Sequence, residues 1–163
     1  MSDRVGIGYD LHRTTAGRPL VLGGVRIEAP FGLAGHSDAD VVLHALCDAL
    51  LGAAGLGDIG ELFPDTDPAH ADADSRTFVR DVLARVRAAG LAVENADIVV
   101  HAQKPRLADY KPQMRAALAA LLEIAPEAVG VKATTNEGLD AIGRGEAIAC
   151  WAVVLLKRAQ AGR

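Results

Sequence analysis

Aromatic residues are scarce in this sequence: three Phe, two Tyr and one Trp make up 4% of 163 residues. The core must therefore be assembled from Ala, Val, Leu and Ile, since half of the chain is apolar. Cysteine is scarcer still. Cys47 lies in a helical pattern and Cys150 in a strand pattern, and neither has a CxxC partner. That excludes a disulfide framework and a cysteine-based zinc site, and it reads as two small core thiols in a reducing compartment. Positive charge is not in excess either: 17 Lys and Arg against 21 Asp and Glu give a net charge of -4, with the basic residues scattered. This excludes nucleic acid and an anionic membrane surface as natural partners. No apolar run reaches the roughly 20 residues that span a bilayer. The opening MSDRVGIGYD has neither the basic lead nor the apolar stretch of a secretory signal, so a cytoplasmic protein is expected, or a stromal one in a plastid-bearing source. Repeats and low-complexity linkers are missing, which predicts one domain over 1–163. A domain of this size withdraws about 70% of its unfolded surface from water and needs no disulfide or structural metal to hold its core.

What is present alternates between the two regular structures. Strand patterns fall at 5–10, 19–22 and 25–27, with Gly23-Gly24 as a hairpin turn between the last two. A helix is expected from Ser37, with Ser37 as its N-cap and Asp40 supporting the first turn, running to the glycines after Ala54. An Asp-, Gly- and Pro-rich loop follows over 56–74 and contains DIGELFPDTDP. A second helix runs from a Ser75 cap to Gly90, with Phe78, Val79, Val82, Leu83 and Val86 on one face. A strand over 92–102, a helix opened by Pro112 and strands over 129–135 and 146–156 complete the chain. The order predicts a two-layer α/β (α+β) fold, a small mixed sheet with helices on one side. The last strand is apolar on almost every residue, so both of its faces should be buried, one of them by another subunit.

Several motifs carry chemistry. Asp10-Leu11-His12 places a carboxylate and an imidazole on one face of a strand. On the first helix, Asp40, His44 and Asp48 break an otherwise apolar surface at i, i+4 and i+8. Asp10, His12 and His44 together have the donor set of a catalytic zinc with an open fourth position. Asp48 or Asp40 is placed to orient an imidazole from behind. From spacing alone a second reading stands beside this one: Asp10 capping a turn, His12 exposed and His44 a hydrogen-bonded core histidine. His36-Ser37-Asp38 precedes the helix, where free N–H groups attract phosphate. DIGELFPDTDP adds an exposed-looking Phe63 to four acidic residues, as a substrate loop would. Thr134-Thr135-Asn136-Glu137 at a strand end offers hydroxyls and a carboxylate to phosphate and a hard cation. Gly6-x-Gly8 lacks the third glycine of a dinucleotide fingerprint, and phosphate-loop and nucleophile-elbow patterns are missing. His70 and His101 have no ligand-like neighbours in the sequence.

Taken together, GYDLH at 8–12, GGVRI at 23–27, GHSDADVVLHALCDALLGAAGLGDIGELFPDTDP at 35–68, ADSR at 73–76, VKATTNEGL at 131–139 and GRGEAIA at 143–149 resemble the 2-C-methyl-D-erythritol 2,4-cyclodiphosphate synthase family nearly end to end. The resemblance implies a divalent-metal-dependent lyase of non-mevalonate isoprenoid biosynthesis. It would convert 4-diphosphocytidyl-2-C-methyl-D-erythritol 2-phosphate to the 2,4-cyclodiphosphate and CMP. It implies one Zn2+ per subunit on Asp10, His12 and His44, and Mg2+ or Mn2+ at Glu137. His36 and Thr135 match transition-state groups. Asp58, Ile59, Gly60, Phe63, Pro64, Asp65, Thr66 and Asp67 match the methylerythritol-binding loops, and Ser37 is a further expected substrate-binding residue. Ala102, Gln103, Lys104, Pro105, Arg106, Leu107 and Ala108, with Thr134, match the cytidine and phosphate pocket. Asn136, Glu137 and Arg144 are expected to bind substrate as well. The resemblance further implies a homotrimer whose sheets surround a threefold axis and whose active sites lie between subunits. The sequence departs from the family pattern at Ala141, where many relatives carry an aromatic residue, and at Arg106, which replaces a common lysine. Two other readings use the same residues: a zinc-dependent phosphodiesterase, and a catalytically silent trimeric binder of nucleotide or isoprenoid diphosphate.

Overall fold

The computed structural model describes residues 2–64, 66–68 and 71–159. Strand β1 (Arg4–Thr15) is longer than its apolar pattern suggested and carries Asp10 and His12 within it. Strands β2 (Leu20–Leu22) and β3 (Val25–Ile27) form the expected hairpin, and both turn glycines adopt positive φ, 61° and 75°. A short β4 (Gly32–Leu33) precedes helix α1 (Val41–Ala54). The DIGEL segment is a one-turn helix, α2 (Ile59–Leu62), where a loop was expected. Helix α3 (Ser75–Ala88) buries Phe78, Val79, Val82, Leu83 and Val86, the face read from its periodicity. Strand β5 (Leu91–His101), helix α4 (Lys111–Leu122), strand β6 (Val129–Thr134), a single turn α5 (Asp140–Gly143) and strand β7 (Ala147–Arg158) follow.

The main sheet has the order β4-β1-β7-β5-β6. It is mixed: β5 and β6 run parallel, whereas β7 is antiparallel to both of its neighbours, β1 and β5. Helices α1, α3 and α4 contribute to one core with one face of this sheet. Contact is closest where α1 crosses β1. A Cβ on Gly8 would stand 1.9 Å from the Ala45 carbonyl oxygen, and one on Gly6 2.0 Å from that of Ala49. The Gly6-x-Gly8 pair thus serves helix-on-strand packing, and its partners Ala45, Ala49 and Ala53 repeat every four residues along α1. Cys47 and Cys150 are both fully buried in this core, and burial pushes their thiols well above the ordinary range.

Two helix starts differ from expectation. Asp40, not Ser37, caps α1: it is completely buried, and its side chain accepts from the N–H groups of Val42 and Leu43 and also from those of Gly23 and Gly24. Asp74, not Ser75, caps α3, which leaves the Ser75 hydroxyl free to turn inward. Within a single chain the last strand is covered on one face. Its even-numbered residues lie under the helices, and α5 covers Ala147 and Ala149, but Trp151 and Val153 are exposed. They join Val5, Ile7, Tyr9 and Leu11 of β1 on an open apolar face, where Tyr9 and Trp151 pack with ring centroids 4.5 Å apart. Among the described residues no helix is long and apolar enough to cross a membrane.

Candidate active site

Alternation along β1 decides where its polar residues go. Val5, Ile7, Tyr9 and Leu11 face outward, so Gly6, Gly8, Asp10 and His12 face α1. With the glycines letting α1 close on the strand, His44 lands directly over Asp10. Asp10 Oδ2 is 2.9 Å from His12 Nε2 and 3.1 Å from His44 Nδ1, and the two ring nitrogens are 3.1 Å apart. All three side chains are partly buried, at 27%, 18% and 13% exposure for Asp10, His12 and His44. Burial raises the Asp10 carboxyl, but hydrogen bonds from His12 and His44 and their charge outweigh it and hold the group well below the usual carboxylate range.

This donor set fits a divalent cation. His12 Nδ1 lies 2.7 Å from the Ala34 carbonyl oxygen, which can only accept, so Nδ1 carries a proton and Nε2 is the nitrogen left to bind a metal. One carboxylate oxygen and two ring nitrogens converge within 4.8 Å of one another. Two imidazoles and a carboxylate suit Zn2+ and related ions.

The cluster opens into a cavity of about 410 Å³ lined by Gly35, His36, Ser37, Ile59, Gly60, Phe63, Pro64 and Phe78. Nine of the expected substrate and metal residues therefore meet in one place: Asp10, His12, His36, Ser37, His44, Ile59, Gly60, Phe63 and Pro64. Phe63 is not an exposed lid residue. It stacks on the buried Phe78 at 4.6 Å and forms a wall. Asp58 caps α2 by accepting from the Glu61 N–H, and Thr66 and Asp67 are exposed beside it. Asp65 and His70 lie outside the described residues.

A second cavity, about 340 Å³, is lined by residues 102–108 with Lys111, Ala133, Thr134 and Thr135. It is the expected nucleotide pocket, yet it is not continuous with the first. Asp10 pairs with Cys150, Cys150 with Val100, and Val100 with Ala133, so the two cavities sit at one level of the sheet, three strands apart. At about 4.8 Å per strand that is roughly 14 Å. Glu137, with a φ of 52°, is exposed near this second cavity. Asn136 bridges His101 and Asp140, and Arg144 pairs with Glu146 outside both cavities. A larger cavity of about 540 Å³ between α3 and α4 holds none of these residues, and two of its three arginines are already paired, Arg76 with Asp74 and Arg87 with Glu123.

The groups behind the histidines are not the expected ones. Asp48 accepts from the Ile59 N–H at 2.7 Å, so it pins α2 to α1. Asp40 is consumed by its four N–H donors, and the same capping occupies the helix-start amides that were expected to bind phosphate. Instead, His44 Nε2 meets Ser75 Oγ at 2.9 Å and Ser37 Oγ at 3.2 Å. Arg18 donates to the Gly35 carbonyl oxygen at 2.6 Å and to that of Ser37, which holds the loop over His12. A Cβ on Gly35 would come within 3.2 Å of the His12 ring. Arg18 did not stand out in the sequence and Ser75 was read there as a helix cap, because both act through backbone or hydroxyl contacts that no spacing announces.

A mixed sheet with helices on one face, a carboxylate–bis-imidazole cluster in one cavity and a Lys- and Arg-rimmed pocket at the same level defines the class: an α/β protein with a donor set that suits a divalent metal and a separate, basic-rimmed pocket. Comparison with known proteins makes the class specific. The YgbB family model matches residues 3–157, and the chain belongs to that family. A protein of Bordetella avium named 2-C-methyl-D-erythritol 2,4-cyclodiphosphate synthase is 58% identical over 155 residues, covering 95% of this chain and 96% of its own. Among solved structures, the bifunctional IspDF from Campylobacter jejuni superposes with a TM-score of 0.93 at 45% identity, over 96% of this chain and 42% of its own. A 2C-methyl-D-erythritol-2,4-cyclodiphosphate synthase structure in its CDP-bound form gives 0.87 at 41% identity, over 94% of this chain and all of its own.

Proposed function

We propose that this chain is a single-domain, cytoplasmic 2-C-methyl-D-erythritol 2,4-cyclodiphosphate synthase. It takes 4-diphosphocytidyl-2-C-methyl-D-erythritol 2-phosphate and forms the 2,4-cyclodiphosphate and CMP. The observation that carries the reading is the convergence of Asp10, His12 and His44 on a cavity that also contains His36 and Ser37. The curated relative of that name and the CDP-bound neighbour support it.

In this reading Asp10, His12 and His44 hold Zn2+, and Glu137 holds Mg2+ or Mn2+; the ions supply charge neutralisation at phosphate oxygens. The nucleophile is the substrate's own 2-phosphate. Its oxygen bonds to the β-phosphorus as the bond from that phosphorus to the bridging oxygen breaks, and CMP leaves with the electron pair. No proton must be removed from the attacking anion, so the reading requires no activated side-chain nucleophile. The protein's task is to fold the substrate on itself and to stabilise spreading charge. His36 and Thr135 donate to the reacting phosphates, the Ile59, Gly60, Phe63 and Pro64 wall takes the methylerythritol end, and residues 102–108 with Thr134 take cytidine and its phosphate.

The roughly 14 Å between the two cavities of one chain supports sites completed between subunits. The open apolar face of β1 and β7 supports a homotrimer with that face on the threefold axis. Phosphorus NMR of the protein with the cytidine diphosphate substrate, with Mg2+ and then with a chelator, tests the assignment. A metal-dependent pair of coupled cyclic-diphosphate signals with CMP is expected. An open-chain phosphate would instead identify a phosphodiesterase, and no turnover by metal-loaded protein a binding protein.

A further inference from the structure

The hydrogen-bond chain behind His44 runs further than one residue. Ser75 is fully buried as the first residue of α3, and its hydroxyl lies between His44 Nε2, at 2.9 Å, and Asp38 Oδ1, in a still shorter contact. The Ser75 backbone N–H donates to the other Asp38 oxygen at 3.0 Å. We propose that Asp38, through Ser75, is a positioning pair for His44: it fixes the imidazole with its Nδ1 lone pair toward the metal donors and strengthens it as a ligand. The proposal rests on the reading of Asp10, His12 and His44 as a metal site.

Counting protons fixes the direction of the chain. A carboxylate only accepts, so the single Ser75 proton goes to Asp38. Ser75 Oγ is then left with lone pairs alone, and the short contact to His44 requires that Nε2 carry the ring proton. Ser37 Oγ, 3.2 Å from the same nitrogen, already accepts from the Ala39 N–H and offers a second acceptor. Nδ1 is therefore the nitrogen that faces Asp10 and His12 and the one left to bind a metal. His12 is fixed by a carbonyl, whereas His44 is fixed by a charge-assisted relay, which pushes electron density onto the ligand. The relay is held rigidly. Asp38 N–H donates to the Ala73 carbonyl at 3.0 Å and Asp72 N–H to that of His36 at 2.7 Å, so the two segments carrying Asp38 and Ser75 are stitched together.

The test uses the full chain in its native assembly and two variants, Ser75→Ala and Asp38→Asn. Zn2+ affinity is read by competition with a chromophoric chelator, and the His44 tautomer by nitrogen-15 NMR of the zinc-loaded protein. Ser75→Ala is expected to weaken Zn2+ binding roughly 10- to 100-fold and to move the His44 Nε2 signal, as losses behind a metal ligand do. Asp38→Asn, which keeps its size and one acceptor oxygen, is expected to show a smaller loss in the same direction; it decides the matter if Ser75→Ala does not fold. Unchanged affinity and an unchanged His44 signal in folded variants would overturn the proposal. A wild-type chain that binds no Zn2+ would instead remove the metal reading beneath it.

Discussion

At the scale of single residues, Asp40 shows how one side chain can answer for several features. Its carboxylate closes the first turn of α1 and the Gly23-Gly24 hairpin together, four N–H groups in all. Burial lifts its pKa to about 6, against the opposing pull of the Gly24, Gly23 and Leu43 amides, and Asp38 nearby adds to the rise. The sign of the consequence follows. An acid that holds its proton more tightly when folded than at its ordinary value of 3.8 gives a native state with more bound protons, so its contribution to stability falls as pH rises through that interval. Urea unfolding between pH 4 and about 6 should therefore show a segment of decreasing stability that is flattened in Asp40→Asn, when the two proteins are compared point by point. Equal pH profiles for both would show that Asp40 does not titrate there.

Elements meet most tightly at the crossing of α1 and β1. Gly8→Ala would drive a methyl group into the Ala45 carbonyl, and strand and helix would have to separate. The expected cost is at least about 1–3 kcal/mol in urea unfolding. Because the same crossing sets His44 over Asp10, metal affinity should fall with it. Gly52, on the exposed side of the same helix, has nothing within 4 Å of an added Cβ. Gly52→Ala should stabilise by about 0.5–1 kcal/mol through helix propensity and lost unfolded-state freedom. Opposite signs for two identical substitutions would separate packing from propensity. Most of this scale was readable beforehand. The apolar stripe of α3 and the β2–β3 hairpin stand where their patterns put them, and the first strand begins where expected but runs on past Asp10 through His12. The start of α1 was not readable, because Ser37, Asp38 and Asp40 are all good caps. Only the hairpin folding back onto Asp40 selects among them.

For the whole molecule, the decisive feature is a sheet with one covered face. Val5 and Ile7 are 69% and 62% exposed in the single chain, and β7 adds Trp151 and Val153 beside them. Placing a charge on that face, as in Ile7→Glu with Val153→Glu, should convert a trimer to monomers by light scattering. Turnover should be lost while each chain retains its Asp10, His12 and His44 cluster and binds Zn2+. An unchanged mass would mean that this face is not the one that assembles.

The sequence by itself determined the class of fold, most of its elements and the three side chains, Asp10, His12 and His44, that converge as a possible metal donor set. Those depend on local periodicity and on residue types that few other roles require. The tertiary structure decided which groups stand behind the donors: Ser75 and Asp38 in place of Asp48 or Asp40, and the Ala34 carbonyl behind His12. It also decided that Phe63 is a wall against Phe78, and that the cavity lined by residues 102–108 lies three strands from Asp10, His12 and His44. The physical reason is common to all of these. A hydroxyl, a carbonyl or an aromatic face has many possible partners along a chain, and only the packing of α1 and α3 on the sheet leaves each of them with one.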